Sequence, residues 1–226
     1  MASRTDEALF THPNRGINTV TESRSNPADQ GYIMDTYEYG RMYTRIRATN
    51  IAISNLTEAK FDKAKADKLL GEAYFLRAYY YQQLLRFYGG IPIDNKIYTL
   101  NDKDYMVPRN SYEECVNAIV KDLDNAVQLL KGVVQVKGRA NETAVLALKS
   151  RVLLYAASDL HDANKAKAKS TLLAGYKNPE YLMYTTGDQT ERWTKAKMAA
   201  KSVLDHTEFS YKLDLTQPAS NGDGTI

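Results

Sequence analysis

The sequence predicts an all-α protein, built as antiparallel helix hairpins of a tetratricopeptide-like solenoid with long irregular loops. Three observations predict it. Apolar residues recur at steps of three and four through five separate segments. Start and stop signals of helices bracket several of those segments. Small residues such as Ala144, Ala147, Ala196, Ala199 and Ala200 recur on the later helices, where they let neighbours approach closely.

Residues 1 to 35 are rich in Asn, Ser, Thr, Asp, Gly and Arg with no apolar period and read as loop. A first helix spans Thr36 to about Leu56, with Tyr39, Tyr43, Ile46, Ala48, Ile51 and Ile53 at helical spacing. A second runs from about Asp62 to Tyr88 and presents two apolar faces. Leu69, Ala73, Leu76, Tyr80, Gln83 and Phe87 form one; Leu70, Tyr74, Ala78, Tyr81, Leu85 and Tyr88 form the other. A helix apolar on so much of its circumference is packed on more than one side. Gly89 and Gly90 supply a left-handed stop, and Pro92 prevents resumption.

The third helix opens with a capping box, Ser111 to Glu114, followed by Cys115, Ile119, Leu123, Ala126 and Leu130 on one stripe. Cys115 thereby reads as a small buried apolar residue rather than a reactive thiol. A fourth helix runs from about Thr143 to Ala157. Residues 158 to 188 read as a polar, Lys- and Tyr-rich connection. A fifth helix, capped by Thr190 or Asp188, carries a stripe of Trp193, Ala196, Ala200 and Val203 or Leu204, with no partner before the chain ends. Residues 214 to 226 read as loop. The whole, 1 to 226, forms one helical-repeat domain, and the unpartnered last helix suggests part of a longer protein.

Composition narrows the function. The chain carries 30 basic and 27 acidic residues, a net charge of +3, without the basic stripe of a nucleic-acid binder. No stretch approaches the ~18 apolar residues of a membrane-spanning helix, and the first ten residues lack the apolar core of a signal peptide. One cysteine rules out an internal disulfide. His12, His161 and His206 form no metal pattern, and the sequence shows no phosphate-binding glycine loop, dinucleotide fingerprint or nucleophile elbow. No catalytic residue, metal or cofactor is therefore assigned. Glu113 and Glu114 belong to a helix start, where acidic groups favour the dipole. Seventeen tyrosines are the compositional oddity. Tyr79, Tyr80 and Tyr81 point about 100° apart in turn, so they read as scaffold rather than as one flat platform.

"GEAYFLRAYYYQQLLRFYGGIPI", "YTRIRATNIAI", "VPRNSYEECVNAIVKDLDNAVQLL", "GRANETAVLALKSRVLLYAA" and "WTKAKMAAKSVLDHTEFSYKL" together resemble, in order, segments of the SusD/RagB family over roughly residues 36 to 213. The resemblance implies a non-catalytic lipoprotein on the outer membrane of Bacteroidetes. Such a protein binds oligosaccharide or other nutrients at the cell surface and hands them to a SusC-type TonB-dependent transporter. It also implies a lipidated N-terminal cysteine and a long C-terminal half that shares the ligand site. Neither is among these 226 residues, which again points to part of a longer protein. An intracellular tetratricopeptide-type adaptor is the alternative reading, resting on the helix pairs alone.

Candidate ligand contacts lie before and at the start of the first helix: Tyr32, Tyr37, Tyr39 and Arg41. Tyrosine covers the apolar C–H faces of sugar rings, and arginine donates hydrogen bonds to hydroxyls. The competing reading places Tyr39 in the core and the others on the surface.

Overall fold

Four long helices zigzag through the first part of the fold, and a fifth closes onto the fourth after a folded connection. The computed structural model describes residues 37–206. The long helices are α1 (Tyr39–Thr57), α2 (Lys63–Tyr88), α3 (Tyr112–Leu130) and α4 (Glu142–Ala157). Two short helices follow, α5 (Ala163–Lys169) and α6 (Thr171–Ala174), flanked by single 3-10 turns at Asp159–His161 and Pro179–Tyr181. The last is α7 (Gln189–Asp205). Each of α1, α2 and α3 packs on its successor, and α7 packs on α4. All four pairings are antiparallel: Tyr37 meets Phe87, Arg77 meets Asp122, Asp124 meets Lys149, and His206 lies near Glu142. The expected architecture of helix hairpins is thus present.

Local chemistry fixes the ends. Asp62 caps α2 by accepting from the amides of Ala64 and Lys65. Ser111 and Glu114 form the complete capping box of α3. Asn141 caps α4, and Asp188, not Thr190, caps α7. Gly89 ends α2 with φ of +72°, a conformation that side chains with a Cβ rarely adopt. A Cβ on Gly89 would lie 2.5 Å from the Tyr181 carbonyl, and one on Gly90 would collide with the Asn110 carbonyl. The double glycine is therefore a crossing point, where the chain leaving α2 passes directly against two other backbones.

The core runs between α1, α2, α3 and α4. The α3 stripe is buried as expected, with Cys115, Ile119, Leu123, Ala126 and Leu130 all fully inside. Cys115 hydrogen-bonds the Ile91 amide and carbonyl, and burial pushes its thiol up to about 11. Tyr81 is buried with its hydroxyl on the Asp94 carbonyl at 2.9 Å, while Tyr79 and Tyr80 sit edge to face and half-buried. The tyrosine run is scaffold, each ring serving a different neighbour.

Other expectations need correcting. On α1 the buried residues are Met42, Ile46, Thr49 and Asn50, and Ile51 and Ala48 face outward. The inward face is partly polar because Asn50 accepts from Arg77 at 2.9 Å and donates to the Asp94 carbonyl at 2.9 Å. On α2, Leu69, Leu76 and Phe87 of the first face are exposed, whereas every residue of the second face is buried or partly buried. On α7 the buried residues are Arg192, Ala196 and Ala199, and Trp193, Ala200 and Leu204 are exposed. Arg192 turns inward to pair with Asp162, and its guanidinium lies over the Tyr184 ring. Nor does α7 lack a partner, since it lies along α4. Finally, residues 158–188 are not a plain connection. They carry a small core of their own, Ala163, Ala166 and Met183 with Leu173 and Leu182 against it.

Candidate functional site

The carboxyl end of α2 and the amino end of α1 meet because the hairpin is antiparallel, and both ends are aromatic. Tyr37 stacks on Phe87 with ring centres 5.5 Å apart and planes 28° apart. Tyr39 lies against Tyr43 at 4.8 Å and meets Tyr88 edge-on at 5.3 Å. The Arg86 guanidinium lies over Phe87 at 5.5 Å. The result is an aromatic ledge with Tyr39 39% and Phe87 37% exposed. Its inner edge is anchored: the Tyr43 hydroxyl donates to the Pro92 carbonyl at 2.6 Å. Burial, then the adjoining Tyr39 hydroxyl, push the Tyr43 hydroxyl far above its ordinary value, so it stays a donor. Burial and then Tyr37 raise the Tyr79 hydroxyl in the same way.

Of the residues expected from the sequence, Tyr37 and Tyr39 belong to this ledge. Tyr39 is neither core nor fully open, which places it between the two readings. Arg41 sits one turn further along and pairs with Glu38 at 3.4 Å, both side chains more than half exposed. Tyr32 lies outside the described residues. Phe87, Tyr88 and Arg86 complete the ledge; the sequence places Phe87 and Tyr88 on helix faces only and gives Arg86 no role. The sequence signal that could have found them is the aromatic pair directly before Gly89, at the open end of a helix hairpin.

Of four buried carboxylates among the described residues, Glu72, Asp122 and Asp162 are held by Arg139, Arg77 and Arg192 respectively, and Glu142 accepts from the Gly132 amide. Asp102, Glu114 and Asp159 are shifted downward, toward the ionised form, chiefly by the Lys96 ammonium, the Ser111 amide and the Lys169 ammonium respectively. Among the described residues no group of His, Cys, Asp and Glu is placed to hold a metal, and no helix is long and apolar enough to cross a membrane. A separate groove of about 490 Å³ lies between α3, α4 and α7. Val116, Val120, Leu146 and Leu153 form its floor, and Glu113, Lys149 and Lys195 stand among the residues lining it.

Two residues of the segment "VPRNSYEECVNAIVKDLDNAVQLL" hold the backbone next to the ledge in place. Arg109 donates to the Gly90 carbonyl at 2.6 Å and to the Tyr88 carbonyl at 2.8 Å, and lies over Tyr181. It thereby fixes the backbone of the turn that carries Phe87 and Tyr88. Asn110 ties the outgoing chain by accepting from the Ile93 amide at 2.9 Å.

Comparison with known proteins agrees with this architecture. A SusD-like family described as "Starch-binding associating with outer membrane" matches residues 3–154. SusD-like protein P38 of Formosa agariphila is 30% identical over 150 residues, covering 62% of this chain and 29% of its own length. A solved SusD-like protein from Bacteroides fragilis is 31% identical with a TM-score of 0.50, covering 62% of this chain and 27% of that one. A structure solved with a xylogluco-oligosaccharide shares the fold at a TM-score of 0.62 and 17% identity, covering 89% of this chain and 35% of that one. A laminarin-binding SusD-like protein does so at 0.53 and 22%, covering 71% and 33%. The chain thus spans about a third or less of the length of these relatives. With its helices in place and more than half its length matched, the chain belongs to the SusD-like family.

Proposed function

We infer that this chain is the helical part of a non-catalytic oligosaccharide-binding protein of the outer cell surface. The ledge of Tyr37, Tyr39, Phe87 and Tyr88 carries the inference. Partly exposed aromatic rings, fixed by packing on one side, suit the C–H faces of sugar rings and lose little freedom on binding. Arg86 lies over the Phe87 ring and can donate to hydroxyls, while Arg41 pairs with Glu38 at the start of α1. The family's description, together with the laminarin and xylogluco-oligosaccharide of the two solved relatives, supports a glycan as the ligand. A general acid for glycoside cleavage needs a carboxyl held protonated. The paired and downward-shifted carboxylates described above favour binding without cleavage.

The ligand then passes to a transporter of the SusC type, and a lipid anchor outside these residues tethers the protein to the outer membrane. Titration of the chain with laminari-oligosaccharides and xylogluco-oligosaccharides tests the binding reading. Saturable binding that weakens in Phe87→Ala supports it, and no binding of either series, or binding unchanged by that substitution, opposes it. The groove between α3, α4 and α7 favours a second reading, an adaptor that takes a peptide. Fractionation of the native cells separates the two, since an adaptor stays out of the outer membrane.

A further inference from the structure

The groove between α3, α4 and α7 has an occupant within reach, the stretch of chain that follows α7. Both α3 and α7 lie along α4 and scarcely meet each other, so the outer face of α4 is left open between them. Val120, Leu146 and Leu153 on the floor are only partly covered, and Met198 on the α7 wall is 65% exposed. Apolar surface gathered in one concave place marks a docking site.

Because α3 and α7 run the same way, against α4, the groove has two defined ends. Glu113 and Glu191 stand at one, where α3 and α7 begin; Leu146 and Ser202 stand at the other. The chain leaves α7 at this second end, one turn beyond Ser202, with His206 near Glu142 at the start of α4. Residues 207–226, outside the described part of the structure, therefore set out from the mouth of the groove.

The sequence of that stretch suits the place. It opens "TEFSYKLDLT", in which Phe209, Tyr211, Leu213 and Leu215 alternate with Ser210, Lys212, Asp214 and Thr216. In an extended chain a period of two puts all four apolar side chains on one edge. Extended, Phe209 to Leu215 spans roughly 20 Å. Along α7, Ser202 back to Glu191 spans roughly 16 Å. A segment tethered so close faces the groove at an effective concentration on the order of millimolar, an advantage that a separate peptide or a second copy lacks.

We propose that residues 209–215 of this chain fold back antiparallel to α7 and dock in the groove, apolar edge down on Val120, Leu146 and Leu153. Lys212 and Asp214 then face outward beside a rim that also carries both signs, Glu191 and Lys195. Filled in this way, the groove offers no surface to a peptide partner. The glycan reading of the ledge is untouched, since none of its rings lines the groove.

The test is disulfide trapping in the full chain with oxidised glutathione, comparing two pairs of substitutions. Met198→Cys with Leu213→Cys places one thiol in the groove. Ala200→Cys with Leu213→Cys places it on the opposite side of α7, at an exposed position nearer the chain's exit, which a freely moving tail reaches at least as readily. Cys115 is fully buried and stays a bystander. The expected result is intrachain closure at least tenfold faster for the Met198 pair. The methyl resonances of Leu146 and Leu153 should also shift in Phe209→Asp with Leu213→Asp, while the helical signal is retained. Equal closure rates, or groove methyls unmoved by the double substitution, would leave the groove open to a foreign peptide and overturn the proposal. Disulfides formed between chains rather than within one would assign the groove to a second copy and overturn it as well.

Discussion

Arg77 and Asp122 form a buried two-pronged ion pair that ties α2 to α3. The Nε and one terminal nitrogen of Arg77 each donate to a different Asp122 oxygen at 2.7 Å, and both side chains are less than a tenth exposed. The remaining nitrogen reaches Asn50 of α1 at 2.9 Å, so one arginine joins three helices. The arginine of the "LRAYYY" segment therefore acts as a structural rivet.

Removing one half of this pair leaves a charge buried without its partner. Asp122→Ala should cost about 3–5 kcal/mol of unfolding free energy, read from urea denaturation. The double substitution Arg77→Met with Asp122→Leu should cost clearly less, since it removes both charges at once. Equal costs would show that the pair is not desolvated as described.

At the crossing behind α2 the limit is space. Gly90→Ala should destabilise severely, because its Cβ would collide with the Asn110 backbone. Gly138→Ala, at φ of +92° with nothing within 4 Å, meets backbone strain alone and should cost about 1–2 kcal/mol. Thermal melts of the two variants compare them directly. Similar melting temperatures would contradict the close approach.

His161 should make stability depend on pH. Its folded pKa is depressed by burial, so the unfolded chain binds the proton more readily. The contribution is fully present above the unfolded value of about 6.5 and is lost as pH falls from there toward the folded value. His161→Phe keeps a ring against Tyr112 and should flatten the pH dependence between pH 7 and 5. A slope unchanged by that substitution would assign the effect to other groups.

Cys115 should be inert toward thiol reagents in the folded state. It is fully buried, and its thiol is pushed up to about 11. Reaction with a disulfide reagent should follow global unfolding, accelerating in urea in step with loss of helical signal. Fast labelling in native buffer would contradict that burial.

How much of this was legible beforehand follows from which force set each face. The α3 stripe is uniformly apolar, so its period alone placed Cys115, Ile119, Leu123, Ala126 and Leu130 inside. On α1 and α7 the inward face includes Asn50 and Arg192, held by partners far along the chain. A reading that looks for apolar periods therefore turned Ile51 and Trp193 inward instead. The helices of 158–188 contain 7 and 4 residues, too few to show a period. Tyr37 and Tyr39 could be suspected from their own surroundings. Their stacking partners Phe87 and Tyr88 lie some fifty residues away and join them only once the hairpin has closed.

The central claim is that the ledge of Tyr37, Tyr39, Phe87 and Tyr88 binds oligosaccharide. Calorimetric titration of the chain and its Phe87→Ala variant with laminari- and xylogluco-oligosaccharides tests it most directly. The account predicts saturable binding of at least one series, weakened roughly tenfold by losing the Phe87 ring while the helical signal of the folded chain is retained. Absence of binding to both series, or equal affinity for the two proteins, would contradict it.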